Sequence, residues 1–204
     1  MENNYAKIVN HNLTQLFADT KHDIDSLSEF LPGKKEGNEV VFKAFGEKCR
    51  LGPEGIFLED SKQTGVLGIL ISLYALWAKP DHLILEPFKS IKEVPNSMPY
   101  IGAFTTHCEH ILIPHVSQIN KKVDEIKNEM EGTNSPRGMQ GDFSFVVYPL
   151  PKIALCYMFY LEDEEFPASV NCLFSQNADV LMPIDGLADT GEYTSKKIIE
   201  ILKK

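Results

Sequence analysis

The stretch from Gly65 to Ala78, Gly-Val-Leu-Gly-Ile-Leu-Ile-Ser-Leu-Tyr-Ala-Leu-Trp-Ala, carries no charged residue. A membrane helix needs about 20 such residues. This run is shorter and lies between Lys62 and Lys79. It therefore predicts a helix buried on nearly all sides, around which the rest of the chain packs. Pro80 ends it, because proline cannot donate into a continuing helix. Hydrophobic residues are 43% and charged residues 24% of the 204, a globular balance. A chain of this length can bury a core without disulfide or metal staples. No linker or repeat divides it, so a single domain over residues 1–204 is expected.

Periodicity places other elements around that helix. Tyr5, Ile8, Val9, Leu13, Leu16 and Phe17 share a helical face, and Ile24, Leu27, Phe30 and Leu31 share another before Pro32-Gly33. Val40–Phe42 and Ile56–Leu58 read as short strands, and Lys34–Asn38 as a charged turn. Pro80, Pro87, Pro95 and Pro99 favour extended backbone through a surface excursion. Thr105–Met130 reads as one or two helices, with a possible break at Pro114. Its later half is amphipathic, and Gly132–Gly141 reads as a loop. Phe143–Tyr148 and Ile153–Leu161 form an expected hairpin, and Ser169–Phe174 a further strand. Asp189 with Glu192 suggests a capping box for the last helix. Glu162-Asp163-Glu164-Glu165 lacks the alternating ligands of a calcium loop and reads as a solvated turn. The expected class is α+β, a helical N-terminal part packed on a C-terminal antiparallel sheet.

Lys and Arg number 20 against 29 Asp and Glu, a net charge of −9. Such a surface repels phosphate and anionic lipid, so neither nucleic acid nor membrane is an expected partner. Cys49, Cys108, Cys156 and Cys172 are far apart, without the close spacing of zinc or iron–sulfur sites. Met1–Tyr5 shows no basic start followed by an apolar run. The expectation is a cytoplasmic protein with four free thiols.

No phosphate-binding loop, dinucleotide fingerprint, nucleophile elbow or H-E-x-x-H motif is present. C-x-x-C-H and D-x-H-x-x-G are absent too, so neither covalent haem attachment nor the usual B12 motif is available. One constellation remains, Gly102-Ala103-Phe104-Thr105-Thr106-His107-Cys108-Glu109-His110-Ile111-Leu112-Ile113-Pro114-His115. On a helix His107 and His110 are neighbours on one face. Neutral imidazole is a common metal ligand, so His107, His110 and His115 are candidate ligands for zinc or for a tetrapyrrole metal. Glu109 is placed to fix an imidazole tautomer. The competing reading is that these histidines only bond backbone at helix ends. Surface or cap roles are expected for His11, His22 and His82.

The order of several segments resembles the domain of unknown function 3786 family, an uncharacterised bacterial and archaeal family. The segments are Phe30-Leu31-Pro32-Gly33, the apolar helix from Leu67 to Trp77, and Gly102-Ala103-Phe104. Phe143-Ser144-Phe145, Pro149-Leu150-Pro151, Asp163-Glu164-Glu165-Phe166-Pro167-Ala168, Leu173-Phe174, Ala178-Asp179 and Leu181 to Pro183 follow. Members are often fused behind a four-cysteine iron–sulfur domain like that of the corrinoid iron–sulfur protein. The resemblance thus implies low-potential redox or corrinoid chemistry. This chain lacks the cluster segment, so electrons would come from a separate iron–sulfur partner protein.

The leading expectation is a cobalamin (corrinoid)-binding protein for redox or methyl-transfer chemistry in anaerobic one-carbon metabolism. His107 or His110 supplies the axial imidazole, with Phe104, Trp77, the apolar helix and the aromatic sheet walling the ring. Haem through the same histidine is the nearest variant. A zinc or iron enzyme on His107, His110 and a carboxylate is a second class. A non-catalytic interaction module, its acidic face docking on a basic redox partner, is a third.

Overall fold

The structure, a computed structural model, describes residues 4–18, 23–139 and 141–204. His22 lies outside them. Helix α1 (Asn4–Ala18) buries Val9, Asn12, Leu13 and Leu16, while Tyr5 and Ile8 remain exposed. The buried stripe is thus rotated from the expected one, because Asn12 donates to Ser72 Oγ (2.9 Å) inside the fold. Helix α2 (Ile24–Phe30) is capped by Asp23, whose carboxylate accepts from Ser26 N–H.

The first half is not only helical. Five antiparallel strands form a meander, β1 (Lys34–Glu36), β2 (Glu39–Ala44), β3 (Glu47–Gly52), β4 (Gly55–Leu58) and β5 (Ser61–Lys62). Two strands here were expected from β-branched and aromatic content. Strand β1 is wholly exposed and charged, and β3 has neither a β-branched nor an aromatic residue. Cross-strand pairing, not intrinsic preference, makes them strands.

Helix α3 (Val66–Leu76) is the apolar run, and it is buried or half-buried along its length. Its mutual packing with α1 is close at Gly68, where an added Cβ would lie 3.0 Å from Val9 Cγ2. The excursion after Pro80 lies over the outer face of the second sheet. Leu83, Leu85 and Phe88 pack there on Val146, Ala154 and Cys156. Polar groups hold the excursion in place: Lys152 Nζ donates to Lys79 O and Asp81 O (both 2.8 Å). Asn177 accepts from Ile84 N–H and donates to His82 O.

The second sheet has the order β6-β10-β9-β8-β7 and is antiparallel. Its strands are β6 (Lys89–Ser90), β7 (Thr133–Asn134), β8 (Phe143–Leu150), β9 (Ile153–Tyr160) and β10 (Ser169–Phe174). The expected β8–β9 hairpin is present, and β7 lies within the expected loop. Leu155, Tyr157 and Phe159 face the main core with Phe145 and Phe174. That core is continuous from α1 to the last helix, so the two sheets share it. The class is α+β.

The segment expected as one or two helices is in several pieces. A single turn, α4 (Ile101–Phe104), passes into a π-type turn over Thr105–Glu109, where His110 N–H reaches back five residues to Thr105 O. Tighter 3₁₀ turns follow over His110–His115, then α5 (Val116–Lys121) and α6 (Val123–Glu129). Two local causes break the α register. Thr106 Oγ1 donates to Gly102 O (2.9 Å), and Pro114 has no N–H to contribute.

Helix α7 (Ala178–Leu181) leads to α8 (Ile184–Leu202). The expected cap at Asp189 is corrected: Asp189 lies inside α8, which starts just after Pro183. Pro183 has no N–H to carry a preceding turn onward, and its carbonyl accepts from Leu187 N–H (2.9 Å), so the helix starts directly after it. Among the described residues, no helix is long and apolar enough to cross a membrane.

Candidate functional site

Strand β10 separates two surface depressions. Ser169 and Asn171 line both. On one side is a groove of about 310 Å³, lined by Ser90, Lys92, Thr105, Glu109, His110 and Ile113 among others. It exists because β6 pairs only with Leu173 and Phe174, which leaves the first half of the β10 edge open. Glu109 reaches into that gap and accepts from Cys172 N–H through Oε1 (3.1 Å). Its carboxylate therefore completes a sheet edge, a different task from orienting an imidazole.

Of the three predicted histidines, one lines the groove. His110 is exposed and lines the groove. His107 is exposed, His115 is half-buried, and neither lines it. Phe104 is 2% exposed and packs on Phe174, with ring centroids 5.3 Å apart. Trp77 follows α3 and is 43% exposed. Among the described residues, no three His, Cys, Asp or Glu side chains are grouped to hold a metal ion. A corrin or porphyrin would thus find one imidazole on an open groove. Phe104 and Trp77 do not line that groove.

Beneath the π-type turn lies a buried polar knot. Tyr157 OH is 2.9 Å from Ser195 Oγ and donates to Gly191 O (3.4 Å), and Cys108 Sγ lies 3.4 Å from Ser195 Oγ. Burial is the main cause that raises the Tyr157 phenol and the Cys172 thiol well above their ordinary pKa values. Both groups stay protonated at neutral pH, which suits hydrogen bonding and opposes nucleophilic attack.

On the other side of β10 is a larger cleft of about 600 Å³, lined by Asp142, Tyr160, Leu161, Asp163, Phe166, Pro167, Ser169 and Asn171. Its rim is a closed turn. Asp163 N–H donates to Phe166 O (3.0 Å), and Asp163 Oδ1 accepts from Glu165 N–H and Phe166 N–H (both 2.8 Å). Those bonds to the charged form hold the Asp163 carboxyl below its ordinary value. Asp142 Oδ2 accepts from Leu161 N–H (2.6 Å). The turn presents Phe166 at 66% exposure. Among the described residues, none of Asp142, Glu162, Asp163, Glu164 and Glu165 has a basic side chain in ion-pair range. The solvated turn expected from the sequence is therefore also the wall of a cleft. The sequence signal for it is Phe166-Pro167 directly after four acidic residues.

Residues 23–197 match the family described as Domain of unknown function (DUF3786). The chain belongs to this family. The match runs from the cap of α2 into α8, so both sheets and both depressions are family territory. No curated protein and no solved structure matches the chain.

Proposed function

We propose that the chain is a non-catalytic docking module, whose acidic cleft beside β10 receives a basic segment of a partner protein. The observation that supports it is Phe166, an aromatic side chain held in solvent among carboxylates that no described basic group neutralises. Exposed aromatic anchors ringed by polar groups are the usual centre of an interface. Charge of one sign around the anchor steers an oppositely charged partner and sets its orientation. A short fluorescent peptide alternating Arg, Lys and Ser tests the reading by anisotropy. It should bind more weakly as salt rises, and the Glu162→Lys, Glu164→Lys, Glu165→Lys triple variant should lose it. Reversal at Glu29 and Glu54, on α2 and the β3–β4 turn, should change it far less. Equal losses in the two variants would show general charge attraction and end the proposal.

A second reading rests on His110, the predicted ligand that lines a groove. In it His110 would hold the metal of a corrinoid or haem through its imidazole, and a separate iron–sulfur protein would supply electrons. The cofactor would carry the methyl or electron chemistry. Its test is a spectral titration with hydroxocobalamin, and separately with haem. A shift of the visible bands by wild type that His110→Ala abolishes would support it. Absence of any shift would remove it.

A further inference from the structure

We propose that the cleft between Tyr160 and Phe166 is an anchor site for a single arginine side chain of the partner. This rests on the docking reading and names what enters the cleft. The walls offer two aromatic residues, Tyr160 and Phe166, and two carboxylates, Asp142 and Asp163. Each carboxylate is fixed by backbone N–H groups at one oxygen only, Oδ2 of Asp142 and Oδ1 of Asp163. Among the described residues, nothing donates to the other oxygen of either. The site thus holds two oriented acceptors that the fold itself does not consume. Asn171 and Ser169 add neutral acceptors on the floor, from the exposed positions of β10.

Arginine matches this set better than lysine does. A guanidinium is planar, stacks on aromatic faces, and spreads five donors over separate acceptors. An ammonium is a compact, strongly hydrated point charge, and its hydration is costly to strip for an open cleft. Cation–π attraction to Phe166 or Tyr160 adds to the charge-assisted bonds. The closed turn at Asp163–Phe166 fixes the anchor before the partner arrives, so little ordering is needed on binding.

The test uses the full chain, isotope-labelled for amide chemical-shift mapping. The probes are four short Gly/Ser peptides whose central residue is Arg, Lys, citrulline or norleucine. The Arg peptide should saturably shift the Tyr160, Phe166 and Asn171 amides. Lys should bind about fivefold more weakly, and neutral citrulline and norleucine should leave those amides in place. Asp142→Asn retains an oxygen for Leu161 N–H and Phe166→Ala changes an exposed side chain, so both should fold. Each should weaken the Arg peptide about tenfold and shrink the Arg–Lys difference. Equal Arg and Lys affinities, shifts elsewhere on the surface, or an unchanged Asp142→Asn variant would overturn the anchor. If that happens while the longer basic peptide still needs Glu162, Glu164 and Glu165, the anchor fails and the docking reading stands. If neither probe binds, both fail.

Discussion

Gly191 of α8 lies so close to Phe104 that a Cβ on it would sit 2.5 Å from Phe104 Cε2 and 3.1 Å from Cys108 Sγ. The missing side chain lets α8 lie against α4 and the π-type turn. Glycine inside a helix ordinarily costs about 1 kcal/mol relative to alanine, so Gly191→Ala would stabilise an exposed helix. Here the sign reverses. Overpacking at this contact should destabilise the protein by about 1–3 kcal/mol, read as a lower denaturant midpoint. A variant as stable as wild type would show that the two elements can part freely.

The knot below that contact gives a second expectation. Tyr157→Phe removes the hydroxyl 2.9 Å from Ser195 Oγ in a fully buried place, where Ser195 keeps Cys108 Sγ at 3.4 Å. The net worth of a hydrogen bond is about 0.5–1.5 kcal/mol, so a loss in that range is expected from chemical denaturation. Tyr148→Phe, whose parent residue is only half-buried on the other sheet face, should change stability far less.

Thiol chemistry follows from burial. All four cysteines are free and buried in the structure. Desolvation pushes Cys156 up to about 12 and Cys49 higher still, and it raises Cys172 well above its ordinary value. The thiolate is the reactive form, so it is scarce near neutral pH. A disulfide reagent at pH 8 should label the native protein slowly, and four thiols should titrate once it is denatured without reductant. Fewer than four would reveal a disulfide in the purified protein.

The parts of the fold that rest on one periodic segment are legible in the sequence. The α3 helix and the β8–β9 hairpin follow from runs of apolar or β-favouring residues. Strands β1 and β3 are not legible, because their sequences carry no strand preference and only their neighbours impose one. The local geometry of the histidine cluster is not legible either. H-x-x-H puts two imidazoles on one face of an α- or a 3₁₀-helix, whereas the wider π-type turn over Thr105–Glu109, which holds His107, rotates the residue three places on away from that face. The cleft at Tyr160 is not legible, because its walls come from residues 142, 160, 161, 163, 166, 167, 169 and 171. Their meeting is set by β-pairing, Ser169 opposite Tyr160 and Asn171 opposite Met158.

Asp163 gives the pH dependence of the cleft. Its carboxyl has a pKa below the ordinary 3.8, chiefly because its charged form accepts the backbone bonds from Glu165 and Phe166. The folded pKa is depressed, so the order that Asp163 confers on the turn is fully present above 3.8. It is lost as pH falls through the lower folded value. Carboxyl and amide resonances should follow this together, the Asp163 carboxyl and the Phe166 N–H sharing one midpoint below 3.8. Asp163→Ala should remove the transition from Phe166 and leave the ring mobile at every pH. Because this carboxylate stays charged through mildly acidic solution, the share of the arginine probe's affinity that depends on Asp163 should hold as pH drops from neutral toward that midpoint. A loss of affinity near neutral pH would assign the charge that matters to a different group.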